Sequence, residues 1–380
     1  MDSLATIGLM SGTSGDGVDG AFVKFSHAEG YWQAQCHAIA SVSFSKRLLQ
    51  KTKVAQTELC SAGHFAEVTR EITLRYADVV RQLTLSRELG RPLVVGAHGQ
   101  TLFHKPPTTW QTFNPALLAA ESGVGVVSDF RSADLAAGGQ GAPLVPLGDR
   151  MLFGGYESRV VINIGGIANL TFLPRNGDVL GFDTGPGNCL GDWLVQTRTG
   201  ERFDRDGQLA KVGRADLALV DACLAEPFFN RPPPKSTDGP EMIEALKSAA
   251  RQCGTDLTSA DLPTMLATTN AITATSILRA IDALPDKPVR AIAAGGGVFN
   301  QALVAMLRGG LEHRGIAYDT TDEFGIPSQA REAVCFAVLA AMHVLGLPGN
   351  LPSVTGASRA VVLGSYTPAP GNPLPIRWPT

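Results

Sequence analysis

The sequence lacks any apolar run of the ~18 residues that a membrane-spanning helix needs; its longest such stretch, residues 334–347, reads as a buried helix. No basic segment precedes an apolar one at its start, so a secretory leader is not expected. The six cysteines, Cys36, Cys60, Cys189, Cys223, Cys253 and Cys335, are scattered and form no C-x-x-C pair. Zinc and redox motifs are therefore unsupported, and reduced, mostly buried thiols in a cytoplasmic protein are expected. Neither sign of charge dominates: 32 Lys and Arg stand against 35 Asp and Glu, a net charge of −3. That balance offers no basic field for nucleic acid or for an anionic membrane. Several active-site signatures are also missing. There is no G-x-x-x-x-G-K-[ST] phosphate loop, no H-E-x-x-H and no G-x-S-x-G elbow, and the Gly295-Gly296-Gly297 turn between strand and helix does not match G-x-G-x-x-G. A P-loop ATPase, a dinucleotide fold, a zinc protease and a serine hydrolase each lose their usual support.

What is present suits a globular enzyme. Hydrophobic residues make up 44% and charged residues 18% of the 380-residue chain, which excludes intrinsic disorder. A prior of ~150 residues per domain favours two domains. Glycine is in surplus: 42 residues against roughly 27 at average usage. Much of the surplus falls in clusters, at residues 12–20, 138–141, 165–166, 181–191 and 295–297. The expectation is that these clusters offer backbone to phosphate and sugar.

The pattern alternates strands and helices, so the expected class is α/β. Residues 6–25 read as strand, glycine-rich turn, strand, with a further strand at 36–43. Phe65, Val68, Ile72, Tyr76, Val79 and Leu83 mark one face of a helix. Short buried strands at 92–96 and 125–128 deliver Ala97-His98-Gly99-Gln100-Thr101 and Asp129-Phe130-Arg131. Residues 159–172 repeat the opening strand–turn–strand scheme, and a strand at 179–182 ends in Asp183-Thr184-Gly185-Pro186-Gly187-Asn188. Pro240 and Gly254 bracket a helix, and residues 265–284 form another. A strand at 289–294 runs into Gly295-Gly296-Gly297-Val298-Phe299-Asn300. A strand near 316–318, a long helix from about Ser328 to Gly346 and a last strand at 360–364 complete the pattern.

Each candidate site residue has a plainer reading beside it. The turn Gly12-Thr13-Ser14-Gly15-Asp16-Gly17-Val18-Asp19 can cradle phosphates, with Asp16 and Asp19 holding Mg²⁺ through water; it can equally be a polar hairpin. Gly165-Gly166 offers a second such turn, and two turns suit one nucleotide clamped between them. Gly295, Gly296 and Gly297, after a strand and before a helix, suit close approach of a base, sugar or phosphate, or a tight turn. Asp183 can face a cleft as a general base, or serve as an Asx turn or helix cap. Arg131 after a buried strand suits an anion or sugar, though single charges are usually solvated or paired. Glu332 sits where a carboxylate also favours the helix dipole. His98 at a strand end is a candidate ligand or a satisfied core histidine.

Taken together, two strand–turn–strand units and a late glycine turn resemble the actin, Hsp70 and sugar kinase superfamily. The runs Gly8-Leu9-Met10-Ser11-Gly12-Thr13-Ser14 with Asp16-Gly17-Val18-Asp19, Ala97-His98-Gly99-Gln100-Thr101, Asp129-Phe130-Arg131 with Asp134 and residues 137–146, Asn163-Ile164-Gly165-Gly166-Ile167-Ala168-Asn169, residues 182–188 and residues 295–300 resemble the anhydro-N-acetylmuramic acid kinases. The resemblance implies a two-lobed, ribonuclease H-like α/β fold with a cleft between lobes. One lobe is expected at residues 1–128 plus about 350–380, the other at 129–349. It implies ATP and Mg²⁺, a sugar substrate, Asp183 as the base, and a homodimer. It assigns residues 12–19, Gly165, Gly166, Gly295–Gly297 and Asn300 to the nucleotide. It assigns His98, Arg131, Asn163, Gly187 and Glu332 to the sugar. The family's turn carries a bulky apolar residue where this chain has Gly15. A plain hexose kinase of the same fold and a non-catalytic ATP-driven switch are the alternatives.

Overall fold

The computed structural model describes residues 3–12, 16–28 and 31–371. The expected contributions of Thr13, Ser14 and Gly15 lie outside the described residues. The chain divides into two units, residues 1–152 with 325–380, and residues 153–324. The division differs from the expected one at both seams. Residues 129–152 and 325–349 belong to the first unit, because the helix Arg331–Val344 packs on that unit's own strands.

The first unit is built on strands β1 (Ser3–Ser11), β2 (Gly17–Ala28), β3 (Tyr31–Ser43), β4 (Val94–Lys105), β5 (Thr108–Thr112) and β6 (Val126–Ser128). β1, β2 and β3 form an antiparallel meander, while β4 and then β6 add in parallel on the other side of β1. β5 folds back on β4, and the strand Ser365–Thr367 closes the far edge against β6. The helices Lys46–Thr57 and Ala62–Leu83 cross from β3 to β4, the kind of connection a parallel neighbour requires. Only the second of these helices was legible as a periodic face. Ile72, Tyr76 and Val79 on it meet Ile7, Leu9, Phe22 and Val95 from the sheet. On another cluster of this unit, Phe336 and Leu339 pack with Val94, Val127, Phe130 and Leu363.

Glycine lets that last helix come close. A Cβ on Gly8 would lie 1.8 Å from the Ala333 carbonyl oxygen, and one on Gly96 would lie 2.6 Å from that of Phe336. Thr6 Oγ1 donates to the Ala337 carbonyl at 2.9 Å in the same contact. Gly17 and Gly20 are likewise set by packing, against the Val42 backbone and the Val79 side chain. The glycine surplus therefore serves helix-on-sheet and strand-on-strand approach as well as turns, which corrects the expectation that it is mostly ligand-facing.

The second unit repeats the strand order. Strands β7 (Arg159–Ile164), β8 (Ile167–Leu173) and β9 (Leu180–Pro186) form an antiparallel meander; β10 (Arg290–Ala294) and then β11 (Ala317–Thr320) add in parallel beside β7. Val160, Ile162, Leu170 and Phe172 pack against Ile277 of the helix Leu262–Asp282 and Leu307 of the helix Gln301–Glu312. A separate helical cluster holds Leu190, Leu194, Leu219, Leu246 and Leu266. The helix bracketed by Pro240 and Gly254 spans Gly239–Cys253, with Gly254 in the left-handed region as its stop.

Three further expectations change. Residues 360–364 are not a strand: the Val361 N–H donates to Asn350 Oδ1 and its carbonyl accepts from Gly349, so side chain and loop replace a ladder. β9 does not stop at Asp183 but runs through it to Pro186. Of the six free cysteines only Cys223 and Cys335 are buried, and Cys253 is exposed. No helix among the described residues is long and apolar enough to cross a membrane.

Candidate active site

In the first unit, the turn after β1 is fastened by its neighbours on the sheet. Ser11 Oγ lies 2.7 Å from the Gly17 carbonyl oxygen and 2.5 Å from Gln100 Oε1. Gln100, fully buried on β4, donates from Nε2 to the Gly12 carbonyl at 3.1 Å. The Phe44 N–H donates to the Asp16 carbonyl at 2.8 Å. Both ends of the turn are thus held from the strands beside them. Gln100 sits in the Ala97–Thr101 motif, but nothing in the pattern assigns it this role. Val18 is buried in the core, so only its backbone can face a ligand. Asp19 pairs in register with Met10 and accepts from Ser41 Oγ. Partial burial and the nearby Asp16 charge push its carboxyl up, while the Ser41 hydroxyl pulls it down.

His98 and Arg131 form one unit. The His98 ring is buried, with Nδ1 2.9 Å from the Gly99 carbonyl oxygen and Nε2 3.0 Å from Arg131 Nε. Arg131 Nε can only donate, so His98 Nε2 accepts and Nδ1 carries the proton. Burial, and then the Arg131 charge, hold His98 well below its usual range, so it is a neutral imidazole. Arg131 also donates from Nη1 to the Gly141 carbonyl at 2.9 Å. Burial lowers its pKa to about 10, which leaves it a cation at neutral pH. His98 is therefore both a satisfied buried histidine and the orienting partner of the candidate anion-binding arginine.

The glycine-rich loop behind Arg131 closes on Asp134. That buried carboxylate accepts from the Gly141 N–H, Asn350 Nδ2 and Thr355 Oγ1, each at 2.7 Å. A Cβ on Gly139 would lie 2.2 Å from Asp134 Oδ2, so this glycine is required by the carboxylate rather than by a ligand. Glu332 lies at the start of the helix Arg331–Val344. Burial pushes its carboxyl up, and Asp19 and Asp149 add to this; Arg331 and Arg131 oppose it. Beside it, Arg331 pairs with Asp149 through both carboxylate oxygens, with Nε to Oδ1 at 2.8 Å, and both residues are buried. The first unit thus brings together Asp19 from the start of β2, His98 from within β4, Arg131 from just after β6 and Glu332 from the start of this helix; His98 is not at a strand end as expected, because β4 runs on to Lys105.

In the second unit, the register aligns a polar row. Asn163 on β7 stands opposite Asn169 on β8, and Asn169 stands opposite Asp183 on β9. Directly opposed antiparallel partners project to one face, so the three share it. A register shift between Ala168 and Asn169 sets this alignment. All three residues are half-buried, while Ile162, Ile164, Leu170 and Phe182 beside them are buried. Asn169 lies inside a motif noticed in the sequence, yet only the register brings it to Asp183.

The Asp183 carboxylate accepts from the Thr237 N–H at 3.0 Å through Oδ2. Burial raises its pKa, and the Thr237 hydrogen bond partly offsets that. A carboxylate shifted upward and held by one donor is suited to take a proton from a neutral nucleophile. Neither the Asx-turn nor the helix-cap reading describes it, because Asp183 lies within β9 and ahead of the helix Cys189–Thr199.

The glycine turns meet at the end of β7. Gly187 N–H and Asn188 N–H donate to the Gly166 and Gly165 carbonyls, at 2.9 and 2.8 Å. A Cβ on Gly187 would lie 2.2 Å from the Gly165 carbonyl oxygen, so turn-on-turn contact dictates glycine there. Gly295, at φ +84°, and Gly297 are pressed against Ile164 in the same way. A Cβ on Gly166 would meet nothing within 4 Å, and one on Gly296 would meet only Asn188 Nδ2, at 3.9 Å. Those two glycines therefore border open space, as a close-approach surface requires. Asn300 caps the helix Gln301–Glu312 through Leu303 N–H at 3.1 Å and exchanges amide contacts with Asn270. Its side chain has structural work independent of any nucleotide.

These features can be set beside known proteins. The profile of the anhydro-N-acetylmuramic acid kinase family matches residues 4–369. The anhydro-N-acetylmuramic acid kinase of Cupriavidus pinatubonensis is 42% identical over 376 residues, covering 95% of this chain and 98% of its own. That of Gloeobacter violaceus is 38% identical over 383 residues, covering 97% and 100%. Among solved structures, a ROK family glucokinase from Streptomyces griseus in complex with glucose and AMPPNP aligns at 13% identity with a TM-score of 0.41, covering 88% of this chain and 98% of its own. With the family's profile running through both sheets and both sets of glycine turns, the chain belongs to the anhydro-N-acetylmuramic acid kinase family.

Proposed function

We propose that the protein opens 1,6-anhydro-N-acetylmuramic acid with water and phosphorylates its O6 with ATP, giving N-acetylmuramic acid 6-phosphate and ADP in the recycling of cell-wall sugar. The observation that supports this most is Asp183. It is a partly desolvated carboxylate in a polar strand row, in the same unit as the open glycines Gly166 and Gly296.

In this reading, Asp183 takes a proton from a water molecule as the water oxygen attacks the anomeric carbon. The C1–O6 bond breaks, and its electron pair stays on O6. O6 then attacks the γ-phosphorus and ADP leaves. Arg131, oriented by neutral His98, and Glu332 hold the sugar, with Asn163 and the backbone at Gly187. Residues 12–19, Gly165, Gly166 and residues 295–300 hold the nucleotide. Such a reaction asks mainly for positioning and charge neutralisation.

The Asp16 and Asp19 pair fits a hydrated Mg²⁺. Two nearby carboxylates, one of them pushed up by partial burial and then by the other's charge, suit a cation that keeps most of its waters. Bound there, Mg²⁺ supplies charge neutralisation at the phosphates.

The direct test follows ADP and sugar phosphate in a mixture of protein, Mg²⁺-ATP and the anhydro sugar. Release of ADP that depends on the sugar, with one sugar phosphate per ADP, supports the proposal. Turnover of N-acetylmuramic acid but not of its anhydro form would favour a plain hexose kinase. Slow ADP release indifferent to either sugar would favour an ATP-driven switch.

A further inference from the structure

We infer that Lys235 is a positioning residue for Asp183, acting through a clamp laid along the outer side of β9; the inference rests on the assignment of Asp183 as the base. β9 is the edge of its sheet, and the Asp183 N–H is directed away from β8. It donates instead to the Lys235 carbonyl at 3.0 Å. Two residues on, the Thr237 N–H donates to Asp183 Oδ2 at 3.0 Å. One segment therefore holds both the backbone and the carboxylate of the same residue. Along it exposure alternates: Pro234, Ser236 and Asp238 are exposed, while Lys235 and Thr237 are half-buried.

The clamp has its own anchors. Lys235 Nζ donates to the carbonyls of Phe228 and Phe229, at 3.3 and 3.1 Å, and lies 4.7 Å from the centre of the Phe228 ring. Those residues belong to the short 3-10 helix Pro227–Asn230. Phe229 in turn meets β9 at Gly185: a Cβ there would lie 2.7 Å from its ring, and Gly185 has a φ of +149°. The Thr237 hydroxyl donates to Glu241 Oε2 at 2.7 Å. Contacts thus run from Asp183 to Lys235, to Phe229, and back to β9 at Gly185. Within this circuit the ammonium ties the clamp directly to the 3-10 helix; Glu241, which accepts from Thr237 and pairs with Arg231, makes a second and more exposed tie. Burial, then the Arg231 charge, lower its pKa, as expected for a lysine whose charge serves an internal contact rather than solvent.

The test compares Lys235→Met, Lys235→Arg and Thr237→Ala with the wild-type protein in the anhydro-sugar assay from pH 5 to 9. Lys211→Met, at an exposed position of the short helix Gln208–Val212, is the control. A misplacement of ~1 Å can cost about 10²-fold in rate. Lys235→Met is therefore expected to lower kcat by about 10- to 100-fold, with KM for ATP within about twofold. Loss of the Thr237 N–H bond removes what opposes the burial of Asp183, so the acid limb of the kcat profile should move to higher pH. Lys235→Arg should recover part of kcat, and Thr237→Ala should shift the limb in the same direction to a smaller extent. A kcat within about twofold of wild type, or a lowered kcat with the wild-type pH limb, would overturn the inference. If Lys235→Met fails to fold, Lys235→Gln, which keeps a donor but not the charge, takes its place under the same criteria. Absence of sugar-dependent turnover in the wild-type protein would instead remove the assignment of Asp183 on which the clamp rests.

Discussion

At the scale of single residues, burial acts in opposite ways on a candidate residue of each unit. It makes His98 a neutral acceptor for Arg131 in the first, while in the second it raises the Asp183 carboxyl. Asp183→Asn should lower kcat by at least ~10²–10⁴-fold, the scale of a lost base, and leave ATP binding nearly unchanged in a titration with a non-hydrolysable analogue. The same substitution has a stability consequence of definite sign. A carboxyl whose folded-state pKa is raised binds its proton more tightly in the native than in the unfolded state. Its contribution therefore falls as pH rises from the unfolded pKa through the folded one. The substituted amide cannot ionise and can still accept from Thr237, so the variant should melt at or above wild type at pH 8. That advantage should vanish below pH 4 in thermal scans. Arg131, Asp183 and Glu332 stand out as candidates in the sequence because each lies in or beside a strongly patterned element. Asn169, Gln100 and Lys235 do not: strand register brings in the first two, and an irregular exposed segment the third.

At the scale of elements, close approach explains what composition alone did not. The helix Arg331–Val344 reads as apolar in sequence, but its seat on β1 and β4 depends on Gly8 and Gly96. Gly8→Ala would set a methyl against backbone rather than a movable side chain, and should cost ~1–3 kcal/mol or more in denaturant unfolding. The start of that helix is fixed by the Arg331–Asp149 pair. Arg331→Met takes the bidentate cation away from a buried carboxylate and should destabilise by about 3–5 kcal/mol; Arg331→Met with Asp149→Leu should recover much of that loss. Periodicity located most helices and strands, since it reports which face is buried. It misplaced the strand at 360–364, where Leu363 is buried by packing while the neighbouring backbone bonds to Asn350.

At the scale of the whole molecule, each unit carries a three-stranded antiparallel meander with two parallel strands added beside its first member. The two strand–turn–strand signals made that duplication visible in the sequence. The seams between units were not visible, because the chain leaves the first unit and returns to it, and the helix Arg331–Val344 packs by contacts distant in sequence. The central claim is that one active site joins hydrolysis of the anhydro bridge to phosphorylation of O6. It is tested most directly in heavy-oxygen water, with Mg²⁺-ATP and the anhydro sugar, quenched before the product's hemiacetal exchanges with solvent. The account predicts label on C1 of the sugar phosphate, O6 retained from the substrate, and none in the phosphate. Label in inorganic phosphate, or a sugar phosphate without solvent oxygen at C1, would contradict it.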